Sequence, residues 1–226
     1  MKRTESGLKW WFLIPVIAIA LAAMLIHAQA GTAQWVHARW VNDGDTIVLN
    51  DGRKVRYLGI NTPEIDYERH RGQPYAYMAK RFNHKLVGRK KIYIEFEQKK
   101  TDRYGRLLAY VFLVDGTFVN RQLLAKGYGY CYPSPQSGKY DAILLKTQRE
   151  AMSVQAGIWR QWREPGKGAG YLGNKRSKRF HLVGCPNGKQ ISRKNRHHFK
   201  TMWDAFFAGY APAKECINDQ LGWRVP

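Results

Sequence analysis

Apolar and polar positions alternate along several short stretches of this chain, and elsewhere the apolar spacing lengthens to three and four. KIYIEFE (91–97) alternates strictly, with Ile92, Ile94 and Phe96 on one side, the pattern of a strand with one buried face. WVHARWV (35–41), TIVL (46–49) and RKVRYLGI (53–60) are rich in β-branched and aromatic residues. Asn50-Asp51-Gly52 separates the last two, a strong hairpin signal. LLAYVFL (107–113) is apolar throughout and is closed by Asp115-Gly116. The pattern therefore predicts five strands.

Helical spacing occurs in three places. Tyr75, Ala79, Phe82 and Leu86 share one face, with Pro74 placed for a first turn. Residues 117–126 form a short segment stopped by Gly127, and Leu144, Thr147, Ala151, Val154 and Ile158 make a longer stripe ending near Gly157. Five strands, with one helix between the third and fourth and two more at the end, predict a mainly β chain with three helices (α+β). They fit a five-stranded Greek-key barrel of the oligonucleotide-binding type, spanning residues 31–160.

The two ends read differently. Lys2, Arg3 and Lys9 precede an apolar run from Trp10 to Ile26, and His27-Ala28-Gln29-Ala30 follows. That is the layout of an export signal over residues 1–30, cleaved after Ala30; the alternative is an uncleaved membrane anchor through residues 10–26. Either way the remainder is expected to work outside the cytoplasm, periplasmic, secreted or tethered. Residues 161–178 are rich in Gly, Lys and Arg and read as a basic linker, followed by a small accessory module over 179–226.

Charge narrows the class of partner. The chain carries 38 Lys and Arg against 17 Asp and Glu, a net +21. Residues 160–226 alone hold 14 basic and 4 acidic side chains. An excess this dense points to a polyanion, because each neutralised phosphate releases condensed counterions. The 3 cysteines, Cys131, Cys185 and Cys216, are too few for a disulfide-built core.

Four clusters surround the predicted barrel: Asp43-Gly44-Asp45-Thr46 at the turn into the second strand, Arg56 inside the third, Asn61-Thr62-Pro63-Glu64 after it, and Thr101-Asp102-Arg103-Tyr104-Gly105-Arg106 at the turn into the fifth. Taken singly, each reads as an ordinary turn or a solvated base. Together they supply oxygen ligands for a hard cation, two guanidinium groups for phosphate oxygens and a carboxylate able to deprotonate water. Those are the parts of metal-assisted phosphodiester hydrolysis.

The ordered set DGDT, R-x-L-G-I-N-T-P-E and T-D-R-Y-G-R-x-L-A-Y, from about Trp40 to Trp159, resembles the staphylococcal nuclease (thermonuclease) family. The resemblance implies a barrel with three helices and calcium-dependent cleavage of DNA and RNA. It implies calcium ligation by Asp45 and by the backbone carbonyl of Thr62, with Asp43 close to the metal. It also implies water activation by Glu64 and phosphate binding by Arg56 and Arg106. Asn61 departs from the family pattern, which has a second calcium carboxylate there; an amide still ligates but adds no charge, so a higher calcium requirement is expected. Tyr104, and Tyr130 and Tyr132 in the stretch 128–133, are the expected substrate-binding aromatics. The rival reading is a non-catalytic nucleic-acid-binding barrel, tethered or free, which Asn61 favours.

The tail is similar to a small zinc-binding module related to the metal-binding domain of the bacterial DNA alkylation-repair regulator. His181, Cys185 and Cys216 match its ligands, but Ala213 stands where the closing Cys-x-x-Cys pair begins. Three ligands leave a structural Zn2+ site incomplete. A Cys185–Cys216 disulfide without metal, zinc completed by another group, and bare thiols all remain open. The basic run Arg193-Lys194-Asn195-Arg196-His197-His198 gives this module a face expected to hold DNA near the barrel.

Overall fold

The computed structural model describes residues 33–134, 138–165, 170–217 and 221–223; the leader and the candidate anchor at 10–26 lie outside them. Five strands close into a barrel in the order β1 (Gln34–Val41), β2 (Thr46–Leu49), β3 (Lys54–Tyr57), β8 (Leu107–Leu113) and β7 (Lys91–Thr101), with β3 and β8 parallel. The period-two pattern has the expected result: Ile92, Ile94 and Phe96 of β7 point into the barrel with Val41, Ile47, Leu49, Val55 and Val111. Each such side chain removed from water contributes roughly 1.5–3 kcal/mol before chain entropy is counted.

The expected third strand, 53–60, is two strands. At Gly59 the backbone takes φ 75, and a Cβ there would lie 2.6 Å from Leu144 Cδ1. The chain swings out of the barrel at this point, and β4 (Gly59–Asn61) pairs instead with β9 (Tyr130–Tyr132), setting Asn61 opposite Tyr130. A two-residue pair, β5 (Ile65–Asp66) and β6 (Arg71–Gly72), then returns the chain. Helices α1 (Ala76–Val87), α2 (Val119–Ala125) and α3 (Asp141–Ser153) follow the three predicted stripes. The last stripe breaks at Ser153 and ends in a 3-10 turn at Gly157–Trp159.

The basic segment is not all linker. Tyr171–Asn174 form β10, one of the two inner strands of a second sheet with β11 (Arg179–Leu182), β12 (Arg196–Phe199) and β13 (Ala211–Pro212). Around it lie α4 (Pro186–Lys189), α5 (Met202–Phe207) and α6 (Lys214–Ile217). This sheet shares one apolar core with the barrel domain: Tyr130, Met152, Ile158 and Trp159 pack with Phe180, Phe206, Tyr210 and Trp223. Buried Gln148 of α3 donates to Phe206 O at 2.6 Å, joining the halves through a satisfied polar group. The accessory module is thus fused to the barrel, and its residues can reach the barrel's cleft.

Cys185 and Cys216 are joined as a disulfide, with Cα atoms 6.0 Å apart. His181 Nδ1 lies 3.4 Å from Cys216 Sγ and 3.7 Å from Cys185 Sγ. The three candidate zinc residues are therefore one cluster, with both sulfurs used in the covalent link. Cys131 is a buried thiol pushed well above its usual range by burial.

Candidate active site

Asp45 is placed by the turn that opens β2. Asn42 and Asp43 both donate backbone N–H groups to Thr46 O, and Asp43 Oδ1 accepts from Asp45 N at 3.0 Å. Gly44 lets this turn press on its neighbours, since a Cβ there would lie 2.7 Å from both Thr62 Cβ and Ala79 Cβ. Asn83 of α1, fully buried, locks the turn from below: its Nδ2 donates to Asp43 O at 3.2 Å and its Oδ1 accepts from Tyr57 Oη at 2.9 Å.

The loop after β4 brings the second set of groups. Thr62 N donates to Asp45 Oδ2 at 2.7 Å, and Arg56 Nη2 lies 3.1 Å from that same oxygen. Arg56 Nη2 also donates to Asn61 Oδ1 at 2.7 Å, while Arg56 Nη1 donates to Tyr57 O at 2.8 Å. Asn61 Nδ2 donates to Thr62 O at 3.1 Å and to Tyr130 Oη at 3.0 Å. Glu64 is held through its backbone by Gln73, whose Oε1 accepts from Glu64 N at 2.9 Å and whose N–H donates to Glu64 O at 2.9 Å. Its carboxylate is left to project from the loop and meets Lys214 Nζ at 3.1 Å.

Arg106 enters from the turn before β8. Asp102 fixes it, accepting from Arg106 Nε at 2.8 Å and from Arg106 N at 3.0 Å. Burial pushes the Asp102 carboxyl up, but the hydrogen bonds from Arg106 and from the Tyr104 backbone outweigh it and hold the group below its usual range. Tyr104 is exposed, its ring within cation–π distance of both Arg103 and Arg106.

Asp45, Arg56, Asn61, Glu64, Arg106, Tyr104 and Tyr132 all line one cleft of about 800 Å³. Thr62 sits buried behind it. Asp45 is the electrostatic centre: burial foremost, then the neighbouring Asp43 and Glu64 charges, push its carboxyl up to about 7, against the opposing pull of Arg56. A buried carboxylate with two acidic neighbours and one guanidinium is a site short of positive charge. Its donors are hard oxygens, so a divalent cation such as calcium fits it, held by Asp45 with Asn61 and the Thr62 carbonyl at hand.

Tyr130 does not stand where a base could stack. It is 3% exposed, packs against Phe206 and Trp223, and turns its hydroxyl to Asn61. It supports the site from behind. One face of Tyr132 is covered by the Arg179 guanidinium at 3.6 Å.

Comparison with known proteins gives the family. A family model described as staphylococcal nuclease homologue matches residues 54–161. The thermonuclease of Staphylococcus hyicus is 33% identical over 172 residues, covering 70% of this chain and 99% of that protein. The chain belongs to the staphylococcal nuclease family. The thermonuclease of Staphylococcus intermedius is 36% identical over 122 residues, covering 53% of this chain and 72% of the relative. Endonuclease YncB of Bacillus subtilis is 40% identical over 122 residues, but these amount to 52% of this chain and 57% of YncB. The family model ends before β10, so the second sheet and its helices lie outside it.

Several supporting residues of this family member were not singled out from sequence. Asn83 falls four residues after Ala79 on the apolar stripe of α1, and a polar side chain at that position was the available signal. Gln73 offered none, and Arg179 and Lys214 were indistinguishable from solvated bases.

Proposed function

We propose that this protein is an exported, calcium-dependent nuclease that hydrolyses phosphodiester bonds of DNA, RNA or both with little sequence selectivity. The observation that carries the reading is the convergence of Asp45, Arg56, Asn61, Glu64 and Arg106 on one cleft. Calcium, when bound, would supply positive charge to a phosphate oxygen and help place the attacking water. Glu64, held at its backbone by Gln73, takes the proton from that water. Arg56 and Arg106, each fixed through part of its guanidinium, present their remaining N–H groups to the equatorial oxygens as negative charge gathers at phosphorus. Tyr104 offers an exposed ring to a base, a contact indifferent to sequence. The named activities of the two thermonucleases and of YncB support the same reaction class.

The test is cleavage of plasmid DNA and of RNA by the purified protein, with calcium and with chelator, beside Glu64→Gln. Calcium-dependent cleavage lost by at least a hundredfold in the variant, with nucleic-acid binding retained, supports the reading. Binding without cleavage by the wild type would leave the non-catalytic alternative. Export rests on the charged, apolar and small-residue order of residues 1–30. Amino-terminal sequencing of the mature protein tests it, with Gly31 expected as the first residue and an intact start marking the tethered form.

A further inference from the structure

The second sheet and α6 each bring one cation to the cleft from outside the family match. Arg179, on β11, sets its Cζ over the Tyr132 ring, 3.6 Å from the centroid. Its Nη1 donates to Ser177 O at 3.2 Å and Lys178 O at 3.3 Å, and its Nη2 to Pro133 O at 3.2 Å. Lys214, at the start of α6, crosses 150 residues of sequence to meet Glu64 at 3.1 Å and is itself 63% exposed. Both line the same cleft as Asp45, Arg56 and Arg106. A second groove of about 470 Å³ shares the walls Gly59, Pro133, Ser134 and Asp141 and continues toward Lys175 and Arg176.

We propose that Arg179 and Lys214 form a phosphate subsite, built by the C-terminal sheet and α6, that grips the nucleic-acid backbone beside the scissile phosphate and directs the strand along the adjoining groove. Arg179 is pre-ordered: its guanidinium is held by the Tyr132 ring and three carbonyls, so little rotamer entropy is lost when a phosphate oxygen approaches its remaining N–H groups. Lys214 is the adaptable member. With no substrate present its charge is matched by Glu64, an exposed pair of small worth that an incoming phosphate can replace. The exchange leaves the Glu64 carboxylate free for water at the moment a strand arrives. The subsite rests on the phosphodiester reading above only in that its ligand is a nucleic-acid backbone.

The experiment compares wild type, Lys214→Gln, Arg179→Gln, the double variant and Lys214→Arg. Binding of a labelled single-stranded oligonucleotide is measured in chelator over a salt series, and polymer cleavage is measured with calcium. Each lost contact should lower the slope of log affinity against log salt by about 0.7, and the double variant by about 1.4. The polymer KM should rise about three- to tenfold per residue, with the smaller share of the loss in kcat. Lys214→Arg should restore the slope. Unchanged slopes overturn the proposal. So does a rise in kcat for Lys214→Gln at constant slope, which would make the lysine a latch on Glu64. If Arg179→Gln does not fold, Lys214→Gln alone decides by its single-contact change in slope. Should the wild type bind with the expected slopes yet fail to cleave, the subsite stands and the hydrolase reading falls.

Discussion

Replacing Asn61 by Asp restores a charge to the cation site, and the structure sets what that charge meets. Asn61 is 5% exposed, with Oδ1 2.7 Å from Arg56 Nη2, the same nitrogen that lies 3.1 Å from Asp45 Oδ2. The two carboxylates would therefore stand no further apart than roughly 6 Å, a repulsion of about 3 kcal/mol at an effective dielectric constant near 20. Attraction to Arg56 at 2.7 Å is about twice that on the same scale, so it offsets the repulsion together with part of the burial cost. What remains is the rest of that burial cost and the loss of the bond that Nδ2 donates to Thr62 O; Tyr130 can rotate its hydroxyl to donate, but a carbonyl cannot. Without metal, Asn61→Asp should lose about 2–3 kcal/mol of stability. With calcium the same charge becomes a ligand, and the calcium midpoint should fall by one to two decades, about 1.4–2.8 kcal/mol. Urea unfolding in chelator gives the first number and a calcium titration of cleavage gives the second. Lost stability with an unmoved midpoint would refute the reasoning, because the side chain at 61 would then not reach the cation. So would a wild-type midpoint already at trace calcium.

Asp45→Asn should flatten the pH dependence of stability in chelator. The folded carboxyl is raised to about 7, so the native state holds a proton that the unfolded chain releases near 3.8. The metal-free fold then loses up to roughly 4 kcal/mol as pH rises from 4 through 7; a wild-type curve flat over that window, measured by urea unfolding, would contradict this. Arg56→Lys, which cannot hold Asp45, Asn61 and a phosphate with one planar fork, should lower kcat by about a hundredfold in a cleavage assay. The paired Cys185→Ser and Cys216→Ser change opens a loop of 31 residues and should cost about 3–4 kcal/mol in urea unfolding. It should also raise the polymer KM, because α6 carries Lys214; a KM equal to wild type would uncouple the link from the cleft.

The barrel and the order of its reactive residues are legible from the chain alone. The barrel strands show as alternating or continuous apolar runs, their turns are announced by Asn50-Asp51-Gly52 and Asp115-Gly116, and the catalytic candidates sit within or beside those strands. Asp45, at the entry to β2, and Arg56, on β3, are brought together by one hairpin, so local geometry suffices for that pair. Other features were decided by contacts across long separations. The break at Gly59 looks like continuous strand in sequence, yet it is forced by the approach of Leu144 from α3 and by pairing with residues 130–132. Tyr130 reads as an available aromatic and is buried, because Phe206 and Trp223 of the second sheet's layer cover it. Arg179 and Lys214 are ordinary basic residues in a basic tail until the shared core of Trp159, Phe180 and Phe206 draws that tail against the cleft. An apolar period records which face of an element is buried, but not which distant element buries it, so only packing could turn surface charge into part of a site.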